Sequence, residues 1–144
     1  MKLVIGNDPE LIGKARKIRH SVFVTEQGIP SQLDSDGLDD GAYHALMTQG
    51  DDLVGTARLT LVSPTHATLA RVSIMSDFRG QGLSTTLISS LVNKAKELNL
   101  NRIEIHAHKN LKHYYESLDF SYIKDAGSVA EHPLIEMHLK LNPE

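Results

Sequence analysis

Arg79, Gly80, Gln81 and Gly82 stand between an apolar run, "LARVSIM", and a segment whose apolar residues recur at helical spacing. A glycine-rich turn from strand to helix presents backbone N–H groups at the positive end of a helix dipole, an arrangement that binds anions. Glycine lets the main chain approach a phosphate with no Cβ in the way, and Arg79 adds positive charge. The spacing rules out two common phosphate sites. A Walker A loop needs Lys and then Ser or Thr after its last glycine, whereas Leu83 follows Gly82 here. A dinucleotide fingerprint needs three glycines opening a parallel βαβ unit.

Other side chains offer chemistry of different kinds. His106 and His108 alternate on one strand face with His113 nearby, and same-face histidines can bind a metal. No carboxylate is read at matching spacing, so no metal is expected. The chain has no cysteine, which excludes a thiol nucleophile, a thiolate metal site and a disulfide framework. The segment "DSDGLDD" gathers Asp34, Asp36, Asp39 and Asp40. It reads either as a solvated loop or as a local field that attracts a cationic substrate.

These residues need elements to position them. "LVI" near the start forms a short strand, and Asp8 before Pro9 is a helix start signal. Leu11, Ala15, Ile18 and Val22 continue at helical spacing, with an end expected near Gly28 and Pro30. "YHALM", "LVGTARLTLV" and "ATLARVSIM" read as three strands joined by turn residues. Leu83, Leu87, Ile88, Leu91, Ala95 and Leu98 make a long helix stripe that "NLN" closes. "RIEIHAH", "FSYIK" and "LIEMHLKL" read as strands, with a short helix "LKHYYESL" after the first of them. The order is mixed α+β, with mostly antiparallel pairing and a parallel pair where the long helix crosses over.

With 144 residues, no repeat and no long linker, a single domain over residues 1–144 is expected. The net charge of -3 and the dispersed basic residues argue against a nucleic-acid partner. No apolar run is long enough for a bilayer span or a secretory signal, so a soluble, cytoplasmic protein with no membrane partner is expected.

"RVSIMSDFRGQGLSTTLISSLV" resembles the signature of the GNAT superfamily of acyl-CoA-dependent N-acetyltransferases, Arg/Gln-x-x-Gly-x-Gly/Ala between a fourth strand and a long helix. Ser84 stands where that core has glycine or alanine. The element order agrees over nearly the whole chain. The resemblance implies a mostly antiparallel sheet, flanked by helices, whose fourth and fifth strands splay apart to admit the acyl-pantetheine arm. It implies acetyl-CoA as co-substrate, with Arg79, Gly80, Gln81, Gly82, Leu83, Ser84 and Thr85 around the pyrophosphate. Val72, Ser73 and Ile74 would offer backbone groups to the arm, one N–H polarising the acyl carbonyl, and Asn110 would stand near the coenzyme.

"HYYESLDF" resembles the family's Tyr-x-x-x-Gly-Phe segment, which gives Tyr115 the role of protonating the departing thiolate. Asp119 replaces the glycine, and aspartate is among the few residues that tolerate the left-handed conformation there. "IRHSVFVTEQGIP" and "DGLDDGAYHAL" resemble the narrower ElaA-like branch, which places Glu26 and His44 on the acceptor side as candidate bases. The implied reaction is acetyl transfer from acetyl-CoA to a small-molecule primary amine, and the acidic segment tilts the acceptor toward a cation. A non-catalytic acyl-CoA-binding module of the same fold is the alternative. Dimers are common in the family, and the final strand reads as an available edge for a homodimer.

Overall fold

The structure is a computed structural model, and it describes residues 1–129 and 131–141. Two compact units are present, Met1–Thr60 with Leu69–Lys94, and Leu61–Thr68 with Ala95–Glu144.

The first unit holds β1, Lys2–Gly6, β2, Tyr43–Gln49, and most of β3, Asp52–Leu61, and β4, His66–Ile74, neighbours in that order. The β1–β2 and β2–β3 pairings are antiparallel, with Val4 opposite Leu46 and His44 opposite Arg58. Helix α1, Pro9–Arg19, begins as its sequence dictates, because the Asp8 side chain accepts from the Leu11 N–H at 3.1 Å. Leu11, Ile18 and Val22 bury against Leu46, with Phe23, Leu53 and Met75 packed around them. Each such aliphatic side chain stabilises the unit by roughly 1.5–3 kcal/mol on full burial.

The winding changes after Arg19. His20–Glu26 is π-helical, and the Gln27 N–H reaches the Val22 carbonyl at 3.2 Å. The run "SVFVTE" is rich in β-branched and aromatic residues, which fit a regular helix poorly. A short helix α2, Ser31–Asp34, follows, and the long helix α3, Leu83–Glu97, opens after the glycine turn.

In the second unit β5 is Arg102–His108, α4 Lys112–Glu116, β6 Ser121–Val129 and β7 His132–Lys140. The order is β5-β7-β6, with both pairings antiparallel. The final strand is therefore flanked on both sides, which corrects its reading as a free edge. Strand β6 takes the outer place in this unit, and it is longer than "FSYIK", running through bulges to Val129. Ile103, Ile105, Ile135 and Met137 are buried on one face of β5 and β7.

Both helices that end in this unit stop by the same device. Asp119 has φ 73, its N–H reaches the Glu116 carbonyl at 3.0 Å and the Phe120 N–H reaches the Tyr115 carbonyl at 3.1 Å. Asn99, at φ 59, repeats this geometry with Lys96 and Ala95. These paired bonds satisfy helix-end carbonyls, and the T-shaped contact of Tyr115 with Phe120, ring centroids 5.7 Å apart, seals the first of them. The left-handed aspartate is the conformation expected of Asp119. The architecture is mixed α+β and mostly antiparallel, as the sequence predicts.

Candidate active site

The turn after β4 is shaped by its glycines. Gly80 has φ 80 and Gly82 φ 73, a region that side chains disfavour, and open space surrounds the Cβ position of each. The glycines are thus required by conformation, and the open space leaves room for a ligand against the backbone. Gln81 is exposed beside them, and Leu83, Ser84 and Thr85 form the half-buried first turn of α3. That turn presents its backbone N–H groups at the positive end of the α3 dipole. A phosphate group fits this donor set, because the glycines remove steric obstruction and the dipole favours negative charge.

Arg79 serves the protein rather than open solvent. Its Nε donates to the Ile74 carbonyl at 2.9 Å, and its Nη atoms donate to both oxygens of Glu26 at 2.8 Å. The guanidinium therefore ties the end of β4 and the end of the π-helical stretch to the turn. The hydrogen bonds from Arg79 hold the Glu26 carboxyl below its ordinary range, which weakens Glu26 as a base.

Upstream, Arg71 sits within β4 at φ 59, strained for a residue with a side chain. Its guanidinium is anchored to Asp34 at 3.1 Å and Asp36 at 3.2 Å. Ser73 is buried with its hydroxyl donating to the Arg71 carbonyl, while Val72 and Ile74 are half-buried. Gly55 on β3 lies so close that an added Cβ would meet the Ser73 carbonyl at 2.9 Å and Ile74 Cδ1 at 2.7 Å. Glycine in a strand interior here permits close approach to the strand end proposed to face the acyl arm.

The acidic segment is largely exposed, but three of its aspartates are held by arginines. Arg19, 1 % exposed, grips Asp39 through both Nη atoms at 2.9 Å and reaches Asp34 through Nε at 3.1 Å. Arg58 binds Asp36 at 2.7 Å and Asp39 at 3.1 Å, and Arg16 adds a contact to Asp39 at 2.9 Å. Burial pushes the Asp39 carboxyl up, but the hydrogen bonds from Arg19 and Arg16 outweigh it and hold the group far below the ordinary range. Four arginines thus occupy three of the segment's aspartates, which leaves less free negative charge there to attract a cationic acceptor.

His44 is fully buried, and its Nε2 lies 2.9 Å from the Asp39 carbonyl, so Nε2 carries the proton. Nδ1 is buried without a protein partner, and burial lowers the imidazole pKa. A neutral imidazole results, facing the loop rather than solvent.

In the second unit, Tyr115 is buried between Tyr114 and Phe120, with ring centroids 5.1 and 5.7 Å away. Burial pushes its phenol well above the ordinary range, so the group stays protonated. Asn110 is exposed in the single 3₁₀ turn Lys109–Leu111 that precedes α4. The premise that no carboxylate accompanies the β5 histidines fails, because Glu104 and Glu136 both lie beside His106, at 2.9 and 3.6 Å.

Residues 13–141 match the family described as the acetyltransferase (GNAT) domain. The chain belongs to the GNAT acetyltransferase family. The uncharacterized N-acetyltransferase YjcF of Bacillus subtilis is 26% identical over 132 residues, 88% of this chain and 94% of that protein. The crystal structure of Escherichia coli ElaA superposes with a TM-score of 0.85 at 23% identity, covering 96% of this chain and 98% of ElaA. An acyl-CoA N-acyltransferase from Pseudomonas aeruginosa gives the same TM-score, 0.85, at 23% identity, with 96% and 99% covered.

In this GNAT chain the sequence reading passed over three contributors to the site region: Arg71, Gly55 and the other three arginines, Arg16, Arg19 and Arg58, that bind the acidic segment. Two of them left signals. Gly55 interrupts an otherwise apolar strand run, and Arg58 is a charge within one, which is tolerated only with a buried partner. Arg71 left none, since nothing local marks a strand arginine as left-handed.

Proposed function

We propose that the chain is an N-acetyltransferase that moves an acetyl group from acetyl-CoA to a primary amine. The observation that carries this is the pair of left-handed glycines, Gly80 and Gly82, opening α3 in a chain of the GNAT family. In this reading the turn from Arg79 to Thr85 holds the coenzyme pyrophosphate, with Arg79 bracing the loop through Ile74 and Glu26. The amine nitrogen attacks the thioester carbonyl directly, the C–N bond forms and the C–S bond breaks. A backbone N–H of Val72, Ser73 or Ile74 holds the oxyanion, and Asn110 stands near the coenzyme. An ammonium acceptor gives up two protons overall: one goes to solvent, and one is balanced by the proton that Tyr115 gives to the thiolate. Water carries the first proton out more readily than Glu26, held by Arg79, or His44, which is buried.

A second reading, an acyl-CoA-binding module without turnover, is favoured by the same constraints on acid and base. Glu26 is paired, His44 faces a loop and the phenol of Tyr115 is a weakened acid. Thiol release from acetyl-CoA, measured across a panel of primary amines, separates the two. An enzyme turns over with at least one amine, and Tyr115→Phe lowers kcat by about 10²–10⁴-fold with acetyl-CoA affinity kept. Binding without turnover in the wild-type chain sinks the catalytic reading, and a Tyr115→Phe variant with unchanged kcat removes Tyr115 as the acid.

A further inference from the structure

A second cluster of ligating side chains lies on β5 and β7, on the face opposite the buried Ile103, Ile105, Ile135 and Met137. The strand register sets Glu104 opposite His138 and His106 opposite Glu136, so imidazole and carboxylate alternate around a square. His106 Nε2 lies 2.9 Å from Glu104 and 3.6 Å from Glu136. His138 Nε2 lies 2.8 Å from Glu136 and 3.4 Å from Glu104. Ligand atoms of Glu104, His106 and Glu136 all fall within 4.8 Å of one another.

The geometry points to a divalent transition-metal site, of the zinc class, held by Glu104, His106 and Glu136 with His138 as the fourth ligand. First, each Nε2 has at most one proton and aims it in one direction, yet two carboxylates converge on it. His106 hydrogen-bonds to Glu104 and His138 to Glu136, which leaves the second carboxylate near each ring without that proton. Second, two carboxylates carry a charge that one divalent cation neutralises while neutral imidazoles donate lone pairs, the mixed donor set that zinc accepts. Third, tetrahedral bonds of about 2.0–2.1 Å separate neighbouring ligand atoms by roughly 3.3 Å. The imidazole–carboxylate separations, 2.8–3.6 Å, are of that order, but each carboxylate meets the two rings through different oxygens, so one oxygen of each and the His138 ring must turn inward to close a tetrahedron. The site would clip β5 to β7, and its existence does not depend on the acetyl-transfer reading.

The test is titration of Co²⁺ into the metal-free full chain, followed by visible absorption, then displacement with Zn²⁺ followed by calorimetry. The expected result is one saturable Co²⁺ per chain with the strong d–d bands of a four-coordinate site, displaced by one Zn²⁺. His106→Gln and Glu136→Gln should each weaken binding by at least about tenfold. His106 is 47 % exposed, so its replacement opens no core, and circular dichroism confirms the fold of each variant. His108→Gln should leave binding unchanged, although His108 stacks on His132 at 5.0 Å and offers the competing pair of imidazoles. No saturable binding at millimolar Co²⁺ makes the square an ion-pair ladder and overturns the proposal. Binding that survives both variants, or that is lost in His108→Gln instead, overturns it equally.

Discussion

Arg79 illustrates how a residue type can be read while its partner cannot. Its place before two glycines suggests phosphate contact, yet its guanidinium meets Glu26, 53 positions away, and the Ile74 carbonyl. A partner that remote is created by tertiary packing, and nothing in the local spacing announces it. The glycines are different, because a positive φ is a property of the residue itself, and the same holds for Asp119. The pairing bears on the two roles open to Glu26. If Glu26 braces the turn, Glu26→Gln raises the Kd for acetyl-CoA by up to about fivefold, the scale of an exposed ion pair, with kcat unchanged. Loss of kcat at constant Kd, read from steady-state kinetics and calorimetry, would restore Glu26 as the base.

At the level of elements, strands and helices followed their periodicity closely, with β5 falling on the run "RIEIHAH" and α1 starting at Asp8 and Pro9. What escaped was winding and order. The π-helical stretch His20–Glu26 keeps the apolar spacing of a helix, so the stripe of Leu11, Ile18 and Val22 does not reveal it. The interior place of β7 is a matter of topology, since an amphipathic strand pattern fits an inner or an outer position equally. The site region shares this split, with the turn legible in local residues and the arginine cluster legible only as unexplained charges. One consequence belongs to the end of α4. Asp119 at φ 73 bears a left-handed penalty that glycine lacks, so Asp119→Gly should stabilise the chain by about 0.5–1 kcal/mol and raise Tm by a few degrees in a thermal melt. A lowered Tm would mean that the aspartate side chain contributes more than its backbone conformation costs.

For the molecule as a whole, the buried charges of the first unit set its response to acid. His44 has a folded pKa below its ordinary 6.5, because burial favours the neutral ring. Its contribution is complete above that value and falls away as pH drops toward the depressed pKa, at up to about 1.4 kcal/mol per pH unit. Asp36 and Asp39 are also depressed, from 3.8, by their arginines against the opposing effect of burial. Their stabilisation is present above that value and disappears as pH falls through the depressed values. Burial lowers the His108 imidazole as well, so denaturant melts should show a plateau above about pH 6.5, a first decline below it and a steeper one in strong acid, with His44→Asn reducing the first decline. An unchanged first decline in His44→Asn would assign it to another group. The central claim is that the turn at Gly80 and Gly82 receives the pyrophosphate of acetyl-CoA, and calorimetric titration tests it most directly, with desulfo-CoA and ATP as controls. The account predicts saturation at one site by acetyl-CoA and by desulfo-CoA, no displacement by ATP, and loss of binding in a folded Gly82→Trp variant. A folded wild-type chain that takes up no acetyl-CoA, or a Gly82→Trp variant that binds it equally well, would contradict the account.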